Sequence, residues 1–476
     1  MNSAKKSSTR FPIFWLGLGS ALLAVLLILL VSPQVFAQSN SSEEERRALQ
    51  TFEQVFDFVR NNYVEEVDPD VLLEGALRGL FESLEDPHSA YLDSDDMRSL
   101  TDTTSGEFGG VGMYISKQER DEITGEVQER DFVEIVSPIE DTPAYRAGIQ
   151  AGDLITSIEG ESTVELSIDD VVNRLRGEPG TEVTIMVRRG ENLEFPVTLV
   201  RDTIEVPTVK SDMIHGDIGF LRIIQFTAHT ADRVKDAIDY FEDNNYSSMI
   251  IDLRSNPGGL LRSVVDVADL FFSNGLIVGT RGRVASENDR YIADRSREVS
   301  PDIPIVVLIN PGSASASEIL AGAMKDRDRA LLLGETTYGK GSVQQIRVLG
   351  DSGFRLTMSR YYTPSGDYID EVGVSPDIEL SEPELSAEEE ESYARIRNEG
   401  LIDDFLDDVS NPSERQIDQF VADLRDDGVV LNSRTIRRMV RQEVERRDNQ
   451  SSVYDLDYDV ILQEAVRLIE EGEVRP

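Results

Sequence analysis

The chain has 476 residues and carries 47 Lys and Arg against 90 Asp and Glu, which gives a formal net charge of −43. This length exceeds what one compact core needs and predicts roughly three domains. So acidic a chain lacks the basic face that nucleic acids require, and the absence of cysteine excludes thiol proteases, disulfide scaffolds and cysteine-ligated zinc.

The N-terminal segment has the pattern of an export signal. Three basic residues precede an uncharged run over residues 11–31, which as a helix would be about 31 Å long, close to the hydrocarbon thickness of a bilayer. Positive charge before the run predicts a cytoplasmic N-terminus and an exported remainder, and the segment ending at Ala37 resembles a signal cleavage site. We expect residues 1–37 to be a cleaved signal peptide or a retained inner-membrane anchor, and the rest to lie in the periplasm or cell envelope.

Residues 43–104 are predicted to form a small helical domain. Apolar residues recur at helical spacing in two stretches, formed by Phe52, Val55, Phe56 and Val59 and by Leu73, Leu77, Leu80, Phe81 and Leu84. The sequence Asp86-Pro87 then ends the helical pattern.

Residues 105–200 contain short strands and glycine-rich turns. The loop Gly110-Val111-Gly112-Met113 precedes a predicted strand. Glycine permits the dihedrals that turn successive backbone N–H groups into one concavity, which suits a terminal carboxylate. The edge of the adjoining strand can accept a peptide as an additional strand. With the later Ser137-Pro138, Ala147-Gly148 and Gly152-Asp153 pairs, the region resembles a PDZ domain of the bacterial protease-associated type, which implies recognition of protein C-termini.

Residues 201–380 alternate apolar strands with helices. The sequence predicts strands over 249–253, 303–309 and 330–333, and helices over 260–272 and 314–324. Strands that are apolar on both faces, joined by helices, predict a parallel sheet covered on both sides.

Residues 381–476 form an acidic, helical C-terminal region. A weak apolar stripe includes Leu462, Val466 and Ile469. A docking helix bundle, a dimerisation or adaptor element and a solvated appendage all agree with this pattern, and no catalytic chemistry is apparent in it.

Two segments of the 201–380 region carry candidate catalytic residues. Ser315 follows a predicted buried strand and begins a helix, whose free N–H groups suit an oxyanion, although a serine here can equally be a cap. A serine hydroxyl needs a base to act as a nucleophile. Lys340, between Gly339 and Gly341, can be that base if burial lowers its pKa. Gln344 could orient the lysine amine through a hydrogen bond.

Two other chemistries compete for the same region. Residues 334–340 match most of a P-loop, with Asp252 as its metal-side acid, but Gly341 stands where the magnesium-binding Ser or Thr belongs. Residues 342–348 also predict a strand where a P-loop needs a helix. A Ser-His-Asp site using His215 or His229 lacks a comparable local motif, and no histidine has the HExxH spacing of zinc proteases.

The S-A-S-A-S-E segment around Ser315, the G-K-G-x-V-Q segment around Lys340 and the upstream PDZ-like region are together similar to the C-terminal processing (tail-specific) proteases, the S41 serine peptidases. The similarity covers about residues 45–380. It implies a multidomain α/β protein with a crotonase-like (ClpP-like) protease core, a β-rich PDZ domain and helical terminal segments. It also implies a nucleophile at Ser315, a general base at Lys340 and a lysine-orienting amide at Gln344.

The same resemblance assigns further positions. Backbone N–H groups of Gly258, Gly259 and Ala316 would form the oxyanion hole, and supporting roles would fall to Glu318, Asp326 and Thr337. The implied activity is hydrolysis of peptide bonds near protein C-termini, with protein tails as substrates and without a metal or organic cofactor. A non-catalytic PDZ scaffold remains the main alternative.

Overall fold

The computed structural model describes residues 43, 45–117, 132–139, 142–150, 152–190, 193–294, 298–383, 385–447 and 452–475. The predicted export segment, residues 1–37, lies outside the described residues. Among the described helices, none is both long enough and apolar enough to cross a bilayer. The chain divides into two compact units, one ending at Tyr91 and the other beginning at Leu92.

The first unit is helical, as its periodicity predicts. Helix α1 spans 45–62 and α2 spans Pro69–Glu82, followed by the short strand β1 at Ala90–Leu92. Asp68 caps α2 by accepting a hydrogen bond from the Asp70 N–H at 2.9 Å, and Pro69 occupies the first helical turn, where its missing N–H costs nothing. Many apolar side chains of this unit are exposed, whereas Phe81 is buried.

The second unit begins with a β-rich part. Its elements are α3 (Ser94–Ser105), β2 (Glu107–Gly110), β3 (Met113–Ser116), β4 (Val133–Pro138), α4 (Pro143–Arg146), β5 (Leu154–Ile158), β6 (Glu161–Ser162), α5 (Ile168–Leu175), β7 (Glu182–Arg189), β8 (Leu193–Val200) and β9 (Asp202–Glu205). Strands β3-β4-β5-β7-β8 form an antiparallel sheet in that order, with β3 at its edge. Inward-facing residues such as Val133, Ile135 and Ile155 form a separate hydrophobic core.

The strand and helix alternation continues from residue 209. The elements are β10 (Val209–Ile214), β11 (Ile218–Ile223), α6 (Thr230–Asp243), β12 (Ser248–Asp252), α7 (Leu261–Asp269), β13 (Leu276–Gly282), β14 (Arg290–Ile292), β15 (Ile305–Ile309), α8 (Ala316–Asp326), β16 (Leu331–Gly334), β17 (Ser342–Leu349), β18 (Ser352–Tyr362) and β19 (Ile378–Glu379).

A six-stranded sheet in the order β10-β11-β12-β15-β16-β19 is the centre of this region. Strands β11, β12, β15, β16 and β19 run parallel, which confirms the predicted parallel sheet. Strand β10 departs from that prediction and is antiparallel to β11. The physical reason is the link of only His215, Gly216 and Asp217 between the two strands, which is too short for a parallel crossover.

Both faces of the sheet are covered, as the doubly apolar strands predict. Alternate residues along each strand face opposite sides. Ile251 and Val307 pack into the core that includes residues of α6, α7 and α8, whereas Ile250 and Val306 pack against the C-terminal helix at Val460–Glu470.

Besides the six-stranded sheet, this region contains an antiparallel sheet that the sequence did not predict. Within it β17 pairs with β18, β18 with β13, and β13 with β14. Strand β17 confirms the strand predicted over 342–348, so the helix that a P-loop requires is replaced by a strand after Lys340.

The C-terminal region contains α9 (Ala387–Asn398), α10 (Leu401–Asp408), α11 (Glu414–Asp426), α12 (Ser433–Arg447) and α13 (Val460–Glu470). Helices α9 to α12 share a small core of their own. Leu462 and Val466 of the predicted apolar stripe are buried against the six-stranded sheet, and Ile469 packs beside them. Helix α13 therefore docks on the sheet, while a role of this region in dimerisation stays a prediction.

Candidate active site

Two loops meet at the carboxyl edge of the parallel sheet, where ligand sites in such sheets form. One is the turn 253–259 after β12, and the other is the segment 310–315 after β15. The Ser313 Oγ donates to the Leu253 carbonyl at 2.8 Å. The Asn256 carbonyl accepts from the Ala314 N–H at 2.9 Å and from the Ser317 Oγ at 3.0 Å. These bonds fix one loop against the other.

Asn256 organises the first loop from within. The side chain is fully buried; its Nδ2 donates to the Ile223 carbonyl and its Oδ1 accepts from the Gly258 N–H, both at 2.8 Å. Its partner in β11, Ile223, is distant along the chain, so no local sequence pattern indicated that Asn256 fixes this loop.

Ser315 occupies a strained position between β15 and α8. Its φ of 55° and ψ of −111° lie outside the regions that a residue with a Cβ atom ordinarily adopts. Such strain persists where surrounding contacts over-determine it, commonly at functional sites. Ser315 is 8% exposed, so it is buried at the N-terminus of α8.

Gly258 and Gly259 approach the start of α8 closely. A Cβ on Gly258 would lie 2.8 Å from the Ser315 Cβ and 2.9 Å from the Ala316 N, so only glycine fits at this φ of 101°. The Gly258 N–H is already bonded to Asn256. Within the described residues, the N–H groups of Gly259 and Ala316 have no acceptor. The three predicted oxyanion-hole positions are thus adjacent, with two of their N–H groups available.

Glu318 is fully buried and accepts four hydrogen bonds through one carboxylate. Its Oε1 accepts from the Thr337 hydroxyl at 2.6 Å and from the Gly339 N–H at 2.7 Å. Its Oε2 accepts from the Ser315 N–H at 2.7 Å and from the Lys340 N–H at 2.9 Å. The backbones of the two predicted catalytic residues therefore share one carboxylate oxygen. The sequence indicated Glu318 and Thr337 only as supporting positions.

Lys340 is half-buried in the turn between β16 and β17. Burial lowers the pKa of its ammonium below the ordinary lysine value, and the positive charge of Arg355 lowers it further, while Glu318 raises it. In the part of the chain that the structure describes, the Lys340 Nζ makes no hydrogen bond or ion pair. A lysine in this setting loses its proton more readily than one on the surface.

Tyr361, which no sequence pattern indicated, lies near the segments of Ser315 and Lys340. The Tyr361 N–H donates to the Gly341 carbonyl at 2.7 Å, beside Lys340. Burial raises the pKa of the Tyr361 hydroxyl to about 12, against the effect of a side-chain hydrogen bond with Ser315. Tyr361 lies on β18, in a sheet that the strand and helix alternation did not predict, so no sequence signal pointed to it.

The remaining predicted residues have other contacts. The Gln344 Nε2 donates to the hydroxyls of Ser342 at 2.9 Å and Thr357 at 3.2 Å, and its orienting effect on Lys340 stays a prediction. The Asp326 Oδ2, at the end of α8, accepts from the Ser365 N–H at 2.9 Å and fixes that loop.

The histidines considered for a Ser-His-Asp site pair elsewhere. The His215 Nδ1 is 2.8 Å from the Glu470 Oε1, and the His229 Nε2 is 3.3 Å from the Glu107 Oε1. Neither histidine contacts Ser315 through these pairs, which favours Lys340 over a histidine as the base for Ser315.

The glycine-rich loop at residues 110–113 contains two N–H groups that have no acceptor in the described part of the chain. Its carbonyls are bonded: Val111 O accepts from the Ala144 N–H at 2.8 Å, and Gly112 O accepts from the Thr142 hydroxyl at 2.9 Å. The N–H groups of Val111 and Gly112 have no acceptor among the described residues. They precede edge strand β3, which begins at Met113, so the loop has the donors that the predicted carboxylate site needs.

Sequence models of three families match the chain. Peptidase family S41 matches residues 217–380, a PDZ domain matches 134–189, and the activating protease CtpB N-terminal domain matches 30–96. A carboxy-terminal-processing protease of Bartonella bacilliformis is 41% identical over 358 residues, covering 73% of this chain and 79% of that protein. The carboxy-terminal processing protease CtpA of Bacillus subtilis is 32% identical over 380 residues, covering 79% of this chain and 78% of that protein.

Among solved structures, the photosystem II D1 C-terminal processing protease is similar to the chain at 28% identity. The alignment covers 69% of this chain and 92% of that one, with a TM-score of 0.41.

Replacing Glu318 with Gln should destabilise this site. An amide oxygen can accept hydrogen bonds but an amide nitrogen cannot, so two buried donors would lose their acceptor at roughly 1–3 kcal/mol each. We expect Glu318→Gln to lower the free energy of unfolding by about 2–6 kcal/mol, measured by denaturant titration. Glu335→Gln, whose side chain makes no hydrogen bond in the described chain, is the control. Equal stability of the two variants would contradict the role of Glu318.

Proposed function

Because the chain belongs to peptidase family S41 and is a serine-type carboxy-terminal processing protease, we propose that it cleaves protein substrates near their C-termini with a Ser315–Lys340 dyad. Ser315 is the nucleophile and neutral Lys340 is the general base. The observation that carries this assignment is the Glu318 Oε2, which accepts from the N–H groups of both residues and so ties their segments together.

The proposed reaction follows from these groups. The Lys340 amine takes the proton of the Ser315 hydroxyl as the oxygen attacks the scissile carbonyl. The N–H groups of Gly259 and Ala316, unbonded within the described chain, receive the resulting oxyanion, aided by the positive end of helix α8. The protonated lysine then donates to the leaving amine, and water hydrolyses the acyl-enzyme.

We propose that the region over 105–200 is a PDZ domain that captures the substrate tail. The N–H groups of Val111 and Gly112, which have no acceptor among the described residues, bind the terminal carboxylate. The tail extends along the edge of β3 that pairs with no described strand. Capture raises the local concentration of the tail near Ser315.

Two further assignments rest on the sequence pattern. A crotonase-like core over residues 201–380 agrees with a parallel sheet covered by helices on one face and by α13 on the other. Export of the chain, with residues 1–37 as signal or anchor, rests on the cationic flank and apolar run of that segment. We propose no assembly partner for the C-terminal helices.

The dyad is tested by replacing each of its two residues with alanine. Against an unfolded protein with an apolar C-terminus, we expect Ser315→Ala and Lys340→Ala each to lower kcat/KM by roughly 10³-fold or more, because nucleophile and base act as a unit. Lys235→Ala, which removes an exposed amine that pairs with Glu298, should cleave like the wild type. Activity that survives both dyad truncations would refute the assignment, and tail binding without cleavage by the wild type would favour a PDZ scaffold.

The base also predicts a pH profile. Neutral Lys340 is the active form, so kcat/KM should rise with pH through the lysine pKa and fall on acidification. Arg355 lowers that pKa, so removing its charge in Arg355→Gln should move the rising limb to higher pH. Arg347→Gln, an exposed residue of the paired strand β17, is the matched control. An identical profile for wild type and Arg355→Gln would count against Lys340 as the titrating base.

Tail capture is tested in the Ser315→Ala background, where peptides are not cleaved. A Cβ at Gly112 would lie 2.2 Å from the Thr142 Cβ, so Gly112→Ala must displace the loop. We expect at least about tenfold weaker binding of a labelled peptide, equal to about 1.4 kcal/mol, by fluorescence anisotropy. Gly160→Ala has a similar positive φ but open space around it and is the control. Equal binding of peptides with a C-terminal carboxylate and amide would exclude the proposed mode.

A further inference from the structure

Arg254 lies between two buried carboxylates at the start of the turn 253–259. Its Nε and Nη2 donate to the Asp252 carboxylate at 2.9 and 2.8 Å. Its Nη1 and Nη2 donate to the Asp459 carboxylate at 3.0 and 2.6 Å. The side chains of Arg254, Asp252 and Asp459 are only 15%, 2% and 8% exposed. Two forked contacts on one guanidinium fix its plane and position.

Asp459 comes from a distant part of the chain. It is the N-cap of α13, where its Oδ1 accepts from the N–H groups of Ile461 at 3.1 Å and Leu462 at 2.9 Å. Helix α13 is held in turn by Leu462 and Val466, which are buried against the six-stranded sheet. The Asp459 carboxylate is therefore presented from a docked helix outside residues 217–380, the part that matches the peptidase family.

Arg254 is part of the same turn as the proposed oxyanion donors. Its backbone N–H donates to the Asp252 Oδ1 at 3.0 Å, so side chain and backbone both close the first half of the turn. Asn256 fixes the second half up to Gly258. Because Arg254 fixes the first half of the turn and Asn256 the second, the position of the Gly259 N–H depends on both residues.

We propose that Asp459 is a positioning residue for catalysis, which holds Arg254 and thereby the turn that presents the Gly259 N–H. The C-terminal helical region thus completes the active site of the protease core. This inference rests on the proposed oxyanion hole. Burial raises the pKa of Asp459, but the hydrogen bonds and charge of Arg254, the Leu462 N–H and the charge of Arg438 together lower it by more, so the net direction is downward. A charged carboxylate at this contact agrees with that direction.

The decisive variant is Asp459→Asn in the full chain. Asparagine caps a helix as well as aspartate does, so the substitution removes the charge while an acceptor for the Ile461 and Leu462 N–H groups remains. We expect kcat for tail-bearing substrates to fall about tenfold or more while KM stays unchanged, because the tail-binding loop is untouched. The backbone amides over 255–260 should exchange with deuterium faster than in the wild type.

Asp457→Asn is the matched control in the same segment. It removes an exposed carboxylate that pairs with Arg441 at 2.6 Å and should leave kcat and amide exchange at their wild-type values. If Asp459→Asn does not fold, Arg254→Lys replaces it, because an ammonium keeps the charge but cannot form two forked contacts. The same loss of kcat at unchanged KM is expected.

Wild-type kcat together with wild-type exchange over 255–260 in either variant would overturn the proposal. A loss of activity that only follows the folded fraction, with unchanged exchange in that turn, would overturn it as well. The exchange measurement does not depend on the chemistry. If Ser315→Ala remained active, the proposed dyad would fail, while faster exchange in Asp459→Asn would still support the coupling of α13 to the turn.

Discussion

The Glu318 carboxylate is the interaction on which the rest of the site depends. A buried charge is costly unless it is fully hydrogen-bonded, and here three N–H groups and one hydroxyl supply the bonds. Because these donors belong to the start of α8 and to the segment before β17, one side chain fixes the strained backbone of Ser315 relative to the turn that carries Lys340. The hydrogen bonds of Glu318 thus both stabilise this part of the core and set the geometry of the site.

Among the described residues, backbone N–H groups without an acceptor occur at both proposed binding places, and each place contains a glycine with positive φ. In the tail-binding loop, Gly112 has a φ of 77°, and in the oxyanion turn Gly259 has a φ of 141°. These angles are accessible to glycine at little cost. A terminal carboxylate and a tetrahedral oxyanion are both negatively charged oxygen groups. Backbone N–H groups can therefore serve both the proposed tail binding and the proposed oxyanion stabilisation in one chain.

The helical C-terminal region takes part in the core through two kinds of contact. Apolar residues of α13 cover one face of the six-stranded sheet, while Asp459 reaches Arg254 at the edge of that sheet. The apolar contact is non-directional and sets the general position of the helix. The ionic contact is directional and connects the helix to the turn beside Ser315, which gives this acidic region a structural link to the proposed chemistry.

The sequence by itself determined the local elements, since periodicity and turn residues act over a few positions. It predicted the parallel strands, the strand at 342–348, the glycine-rich loop and, through the family resemblance, the pairing of Ser315 with Lys340. Only the tertiary structure decided which groups meet across long separations: the partners of Glu318, the hydrogen bond of the Tyr361 N–H with the Gly341 carbonyl, and the ion pair of Asp459 with Arg254. No local pattern encodes these contacts, because each forms only after distant strands and helices have packed.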